Sequence, residues 1–133
     1  MVILITGKAN SGKTHYATEL QREMVGDGFI VEHIDGDDFR KIKGNNDYSD
    51  EGRMRNLKDA AERAAELENE GYIVLCSFIA PKKKWRNMMR KYWEVSRVVY
   101  MPGGTLWKGT TYQRPSEREL RTRYNYRKHD SIF

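Results

Sequence analysis

The residues of this 133-residue chain best suited to chemistry stand near its start. Gly7-Lys8-Ala9-Asn10-Ser11-Gly12-Lys13-Thr14 has the spacing G-x-x-x-x-G-K-[ST]. Glycines let such a loop curl until successive backbone N–H groups point inward, and a helix opening behind it adds positive potential. The result is a cradle for phosphate oxygens. Gly7, Asn10, Ser11 and Gly12 shape it, the Lys13 ammonium reaches the β- and γ-phosphates, and the Thr14 hydroxyl ligates Mg²⁺. A chance glycine-rich turn would need neither Lys13 nor Thr14. The segment therefore predicts a site for ATP and Mg²⁺. A second chemical segment is Asp35-Gly36-Asp37-Asp38. A carboxylate there can accept the proton of an acceptor hydroxyl or join the magnesium shell. The alternative is an acidic helix N-cap at Asp37 or Asp38, and the two roles are compatible. The third apolar run ends in Ser77-Phe78 rather than in an acid, so Asp35 and Asp37 are the best acids available.

These residues need elements to position them. Val2, Ile3, Leu4 and Ile5 are continuous and three of the four are β-branched, so Met1–Thr6 reads as a buried strand feeding the cradle. From Lys13, Ala17, Leu20 and Met24 fall at helical spacing, and Gly26 and Gly28 end that helix. Phe29–Ile34 reads as a second strand ending at Asp35, at the carboxyl end where open α/β sheets bind ligands. Arg40–Gly52 is polar and Gly/Asn-rich and reads as a loop. Asn56–Glu70 is the clearest helix, with Leu57, Ala60, Ala61, Ala64 and Leu67 on one face and Gly71 as its stop. Tyr72–Phe78 reads as a third strand. Pro81 opens a helix whose inner face is Trp85, Met88, Met89, Tyr92 and Trp93, and Arg97–Met101 is a fourth strand. Ser116 and Glu119 have capping-box spacing, which predicts a short last helix. The β-α-β-α-β-α-β order implies an α/β fold: a parallel sheet with helices on both faces, in a single domain over residues 1–133.

Composition narrows the class further. Apolar residues are 38% and charged residues 32%, in short alternating runs that argue for a folded domain rather than disorder. One cysteine excludes a disulfide scaffold and a Cys-based zinc site, and His15, His33 and His129 are too scattered for a metal cage. Met1–Ile5 is too short for a signal sequence and no apolar run reaches membrane length, so a cytoplasmic protein with no membrane partner is expected. The net charge of +5 favours an anionic partner without choosing one.

With these pieces in order, the chain resembles the adenylylsulfate (APS) kinase family of P-loop kinases. Members carry D-G-D-x-x-R after the second strand, and here Asp35-Gly36-Asp37-Asp38-Phe39-Arg40 stands in that place. Their F-S-x-x-D-R-x-x-N-I-R-R is matched by Tyr48-Ser49-Asp50-Glu51-Gly52-Arg53-Met54-Arg55-Asn56-Leu57-Lys58-Asp59. Ser77-Phe78-Ile79-Ala80-Pro81 is similar to S/A-F-I-S-P, and Tyr112-Gln113-Arg114-Pro115 to Y-E-x-P. The resemblance implies transfer of the ATP γ-phosphoryl group to the 3′-hydroxyl of adenosine 5′-phosphosulfate, a step of sulfate assimilation that gives PAPS. It implies Asp37 as the base and magnesium organiser beside Thr14, with Lys13 and Asp35 also catalytic. It implies Arg40, Arg53 and Asn56 as contacts to the acceptor's phosphosulfate and ribose, Tyr48 over its adenine, and Phe78 and Ile79 as pocket walls. Alternatives are a P-loop kinase for another hydroxyl acceptor (a nucleotide, a polynucleotide 5′ end or a small metabolite), or a nucleotide- or nucleic-acid-binding module with little catalysis.

Several positions depart from the family pattern. Ala80 replaces a serine, so no phosphoserine can form there. Gly52 replaces an acid expected to orient Arg53, and Asp59 replaces a basic residue. A basic helical lid segment is replaced by residues 102–111 alone, with Lys108 and Arg114 as partial substitutes. Other features have plainer readings. Lys82, Lys83, Lys84, Arg86, Arg90 and Lys91 read as a solvated helix face rather than a nucleic-acid patch, with Lys82–Lys84 near the site. Trp85, Met88, Met89 and Trp93 read as core, Cys76 as an inert core thiol, and His15 as either a phosphate contact or an exposed helix residue. The basic tail of Arg114, Arg118, Arg121, Arg123, Arg127 and Lys128, with Tyr124 and Tyr126, reads as a surface helix, although RNA contact fits it too. The oligomeric state is not legible.

Overall fold

The computed structural model describes residues 1–106, 109–121, 124–125 and 130–131. Its elements are β1 (Val2–Thr6), α1 (Lys13–Gly26), β2 (Val31–Asp35), α2 (Gly36–Lys43), α3 (Asp50–Asn69), β3 (Ile73–Ser77), α4 (Lys83–Arg90), β4 (Ser96–Tyr100), α5 (Glu117–Arg121), β5 (Tyr124–Asn125) and β6 (Asp130–Ser131). The sheet order is β2-β3-β1-β4-β5-β6, with the first four strands parallel and the two short ones antiparallel. The expected parallel α/β sheet is therefore present.

Strand alternation splits the core into two layers. Val2 and Leu4 of β1 pack with α3, α4 and the side chains Cys76, Phe78 and Val98. Ile3 and Ile5 pack on the other face with Val31, Leu75 and Ala17 of α1. Helices thus cover both faces, and β1 is buried along its whole length. Trp85, Met89 and Trp93 are core residues, as their spacing predicts, although α4 ends at Arg90; Trp93 Nε1 donates to Ala61 O at 3.0 Å, tying the segment after α4 to α3. Cys76 is fully buried, and burial pushes its thiol far up from the ordinary value.

Four expectations need correction. The second strand starts at Val31 rather than Phe29, because the turn after α1 (Gly28 φ 95°) leaves Phe29 and Ile30 at 52% and 64% exposure. The polar stretch from Arg40 is not all loop: α2 runs to Lys43 and α3 begins at Asp50. Caps explain both changes. The Asp35 carboxylate, not Asp37 or Asp38, caps α2 by accepting from Asp38 N, and Ser49 Oγ caps α3 by accepting from Gly52 N at 3.2 Å. Asp37 and Asp38 in the first turn of α2 and Arg40, Lys41 and Lys43 in its last suit the helix dipole. Finally, Arg86 and Arg90 do not belong to a solvated face, since both are fully buried. The short last helix is present, with Glu119 N donating to Ser116 Oγ at 3.1 Å. Within it Arg121 pairs with Glu117 at the surface. Lys108 of the expected lid substitute, Arg123, Tyr126, Arg127 and Lys128 of the expected basic tail, and His129 lie outside the described residues. No helix among the described residues is long and apolar enough to cross a membrane.

Candidate nucleotide and acceptor site

The Gly7–Thr14 loop joins β1 to α1 as the motif requires. Asn10 (φ 60°) and Gly12 (φ 90°) turn left-handed to curl it. Gly7 is needed for close approach: a Cβ there would sit 2.6 Å from Met101 O and 2.8 Å from Ser11 Oγ. The Lys13 ammonium folds back onto the loop, donating to Lys8 O at 2.7 Å. Burial pulls Lys13 below the ordinary lysine value, while Asp37 and Asp35 oppose that pull. The cradle opens on a cavity of about 380 Å³ lined by Asn10, Ser11, Gly12, Lys13, Thr14 and His15 on one side. Asp35, Gly36, Asp37, Ser77, Phe78 and Ile79 line the other. His15 is thus both exposed and at the cavity's edge.

Asp35 sits at the end of β2 and joins cradle to sheet. Its Oδ1 accepts from Thr14 Oγ1 at 2.7 Å and Ser77 Oγ at 3.1 Å, and its Oδ2 from Asp38 N at 3.3 Å. Burial alone would push its carboxyl up. The hydrogen bonds from Thr14, Asp38 and Ser77 outweigh burial and hold it below the usual carboxylate value. Asp37, in the first turn of α2, lines the same cavity and has no hydrogen bond or ion pair among the described residues, leaving its carboxylate available. Thr14, Asp35 and Asp37 form an all-oxygen donor set at the phosphate cavity. That set fits Mg²⁺, which binds through one or two protein oxygens, substrate phosphates and retained waters. No group of three or more His, Cys, Asp and Glu among the described residues makes a dedicated metal cage, and Mg²⁺ at a phosphate needs none.

Arg40, Tyr48, Arg53, Asn56, Phe78 and Ile79 come together around a second cavity of about 100 Å³. Gly36, Asp37, Phe78 and Ile79 line both cavities, so Asp37 stands where they meet. The Asn56 amide is buried and its Oδ1 has no partner. A buried acceptor left unpaired costs about 1–3 kcal/mol, which a donor on a bound molecule would recover. Arg40 is engaged in shaping the wall. Its Nη1 donates to Asp47 O at 3.1 Å and Asn45 O at 3.3 Å, and its guanidinium lies 4.6 Å from the Tyr48 ring centre. Asp47 packs against Gly52 where a side chain at that position would stand, so a Cβ on Gly52 would collide with Asp47. The acid absent at position 52 is thus supplied in space by the loop, although it pairs with Arg55 rather than Arg53. Lys82 bonds Asp50 at 2.9 Å and joins the starts of α3 and α4 near this cavity, which holds Asp50 below the ordinary carboxylate value.

The turn after β3 is clamped by residues to which the sequence reading gave no part in the site. Ala80 is left-handed (φ 42°), and its carbonyl accepts from Arg86 Nη1 at 2.8 Å. Arg86 also donates to Gln113 O and pairs with buried Glu119 at 2.6 Å. Thr6 Oγ1 donates to Ile79 O at 2.5 Å and shares a hydrogen bond with the Tyr112 hydroxyl. Burial pushes the Tyr112 phenol up, so it stays protonated. Arg86 and Glu119 are 33 residues apart, and no local pattern pairs them. Only the capping-box spacing drew attention to Glu119. On the other side of the cradle, Thr105 N donates to Ala9 O at 2.8 Å, which lays residues 103–106 against the loop. Arg114 stacks over Tyr100 and lines neither cavity. A larger cavity of about 710 Å³ runs beside β2 at the sheet edge, but it includes neither Lys13 nor Asp37.

The family model described as adenylylsulphate kinase matches residues 1–125. The chain is 37% identical over 102 residues to a probable adenylyl-sulfate kinase of Aeropyrum pernix, covering 76% of this chain and 56% of that protein. It is 36% identical over 100 residues to a probable adenylyl-sulfate kinase of Archaeoglobus fulgidus, covering 74% of this chain and 64% of the relative. The chain therefore spans less than two thirds of the length of either relative. Among solved structures, the Mycobacterium tuberculosis APS kinase CysC in complex with AMPPNP and APS superposes with a TM-score of 0.72 at 25% identity. That match covers 76% of this chain and 61% of the other. The fold is that of the P-loop kinases.

Proposed function

The chain belongs to the adenylylsulphate kinase family, and from that premise we propose that it transfers the γ-phosphoryl group of ATP to the 3′-hydroxyl of adenosine 5′-phosphosulfate, giving ADP and PAPS. The observation that carries this reading is the meeting of the two cavities at Asp37. A donor in the cradle and an acceptor against Arg40, Arg53 and Asn56 would face each other across that carboxylate. Asp37 accepts the proton of the attacking hydroxyl. Lys13 and the inward-facing amides of the loop stabilise charge on the phosphoryl oxygens. Arg40 and Arg53 bind the acceptor's anionic group, Asn56 its ribose, and Tyr48 with Phe78 and Ile79 its base. Thr14 and Asp37, with Asp35 behind them, would hold Mg²⁺, which would supply neutralisation of phosphate charge when bound. With Ala80 in place of a serine, transfer is direct, without a phosphoserine at that position. We place the reaction in the cytoplasm, where ATP is supplied, as a step of sulfate assimilation on small-molecule nucleotides.

One observation favours a second reading, a kinase for a smaller hydroxyl acceptor. The acceptor cavity is about 100 Å³, well under the ~300–1,000 Å³ usual for ligand pockets. The deciding experiment supplies γ-labelled ATP and Mg²⁺ with APS, nucleosides, a 5′-hydroxyl oligonucleotide and small polyols in turn. Label is expected on APS. Label on another acceptor, with APS inert and unbound, would sink the APS reading and leave the kinase. A salt-dependent oligonucleotide shift with no ATP turnover would instead make the chain a binding module.

A further inference from the structure

We propose that His33 is a positioning residue for the magnesium-bearing side of the nucleotide site, acting through Ser77 on Asp35 and through Asp35 on the Thr14 hydroxyl. The inference rests on the Mg²⁺·ATP part of the function proposed above. His33 and Asp35 are two residues apart on β2 and so share the sheet face that α1 covers. Parallel pairing sets Ser77 of β3 beside Asp35. His33 Nε2 lies 2.7 Å from Ser77 Oγ, Ser77 Oγ lies 3.1 Å from Asp35 Oδ1, and Thr14 Oγ1 lies 2.7 Å from that same oxygen.

Proton counting gives this chain a direction. The Asp35 carboxylate is ionised and only accepts. The single Ser77 proton therefore goes to Asp35, and the Ser77 oxygen is left to accept. The donor in reach is Nε2–H of His33, which selects that tautomer of the half-buried ring. Ser77 is 2% exposed, so water cannot readily take over from His33. With the Ser77 rotor set, Asp35 Oδ1 is fixed to receive the Thr14 proton. The Thr14 lone pairs are then left for a cation at the phosphates. Partners behind a metal ligand are worth about 10- to 100-fold in metal affinity when removed. Three hydrogen bonds separate His33 from the Thr14 hydroxyl, which places it at the low end of that range.

The test measures ATP binding by calorimetric titration across Mg²⁺ concentrations and again with EDTA, so no turnover is needed. His33→Phe keeps a ring and removes the donor. The Mg²⁺ concentration for half-maximal enhancement of ATP binding is expected to rise about tenfold, with ATP affinity in EDTA unchanged within about twofold. His33→Gln returns an N–H at similar reach and is expected to restore the wild-type value within about twofold. Ser77→Ala should match His33→Phe, and the double variant should be no worse than either single one. A Mg²⁺ dependence unmoved by His33→Phe overturns the inference, as does equal loss in the Phe and Gln variants or additive loss in the double variant. If His33→Phe does not fold, Ser77→Ala and His33→Gln carry the same comparison. Wild-type protein that binds ATP with no Mg²⁺ enhancement counts against the metal assignment itself. Wild-type protein that binds no ATP counts against the proposed function.

Discussion

The phosphate cradle and the acceptor cavity share a wall but are built in opposite ways. The cradle is local: eight consecutive residues, curled by their own backbone, with Lys13 docked on a carbonyl five residues away. The acceptor cavity is assembled from α2, the 45–49 loop, α3 and the turn before α4. It is held by contacts between distant residues, above all Arg86 with Glu119 and Thr6 with Ile79. A local site is robust to changes elsewhere. A non-local one can be reshaped by a single loop, so a change in the acceptor cavity need not disturb the cradle.

The largest effect should fall on the cradle. Lys13→Ala is expected to lower kcat by ~10³-fold or more while thermal unfolding stays near wild type; turnover surviving in this variant would remove the cradle from the reaction. At the shared wall, Asp37→Asn keeps the shape and removes the base. A loss of about 10²-fold or more in kcat is expected, with the acceptor KM little changed; an unchanged kcat would leave Asp37 only a helix-terminus role.

On the acceptor side the first effect is structural. Arg86→Ala or Glu119→Ala strands a buried charge and should cost about 3–5 kcal/mol in denaturant unfolding. Replacing both by apolar residues of similar volume should recover most of that stability. If the turn at Ala80 also depends on the guanidinium, the double variant will fold yet show a raised acceptor KM. Equal ATP and acceptor losses would break the distinction between the two regions.

Arg53→Lys should be smaller still, raising acceptor KM about tenfold with ATP KM unchanged. A helix-start residue without a ligand would tolerate the change. The smallest effect is expected from Ala80→Ser. With γ-labelled ATP alone, peptide mapping of wild type should find no label in the Phe78–Pro81 segment. The serine variant should keep its rate within about twofold, and a large gain would mean that a useful hydroxyl has been lost from this position.

Legibility followed the same division. The cradle and its flanking strand and helix were readable because a contiguous motif carries its own geometry. The inner faces of α3 and α4 were readable from periodicity. Asp35 and Asp37 could be singled out by position, but their separate tasks could not. Asp35 turned out to be the helix cap and the partner of Thr14 and Ser77, while Asp37 has no hydrogen bond or ion pair among the described residues. The start of α3 was hidden because Asp50-Glu51-Gly52-Arg53 is as polar as a loop; the Ser49 cap and Ala-rich remainder make it a helix. Arg86 and Arg90 read as surface residues because charge pattern alone counts cations and not partners. Each is buried with bonds to groups outside its own helix, Glu119 for one and Ser96 for the other.

By itself the sequence determined the sheet-and-helix order, the phosphate loop and the family. Each depends on residues close together along the chain, where spacing is already geometry. The tertiary structure alone decided that six dispersed residues line one cavity meeting the phosphate site at Asp37. It alone decided that a buried arginine holds the left-handed turn at Ala80, and that His33 reaches Thr14 through Ser77 and Asp35. Hydrogen bonds and ion pairs act over about 3 Å, and which side chains come that close is set by how strands pair and helices pack.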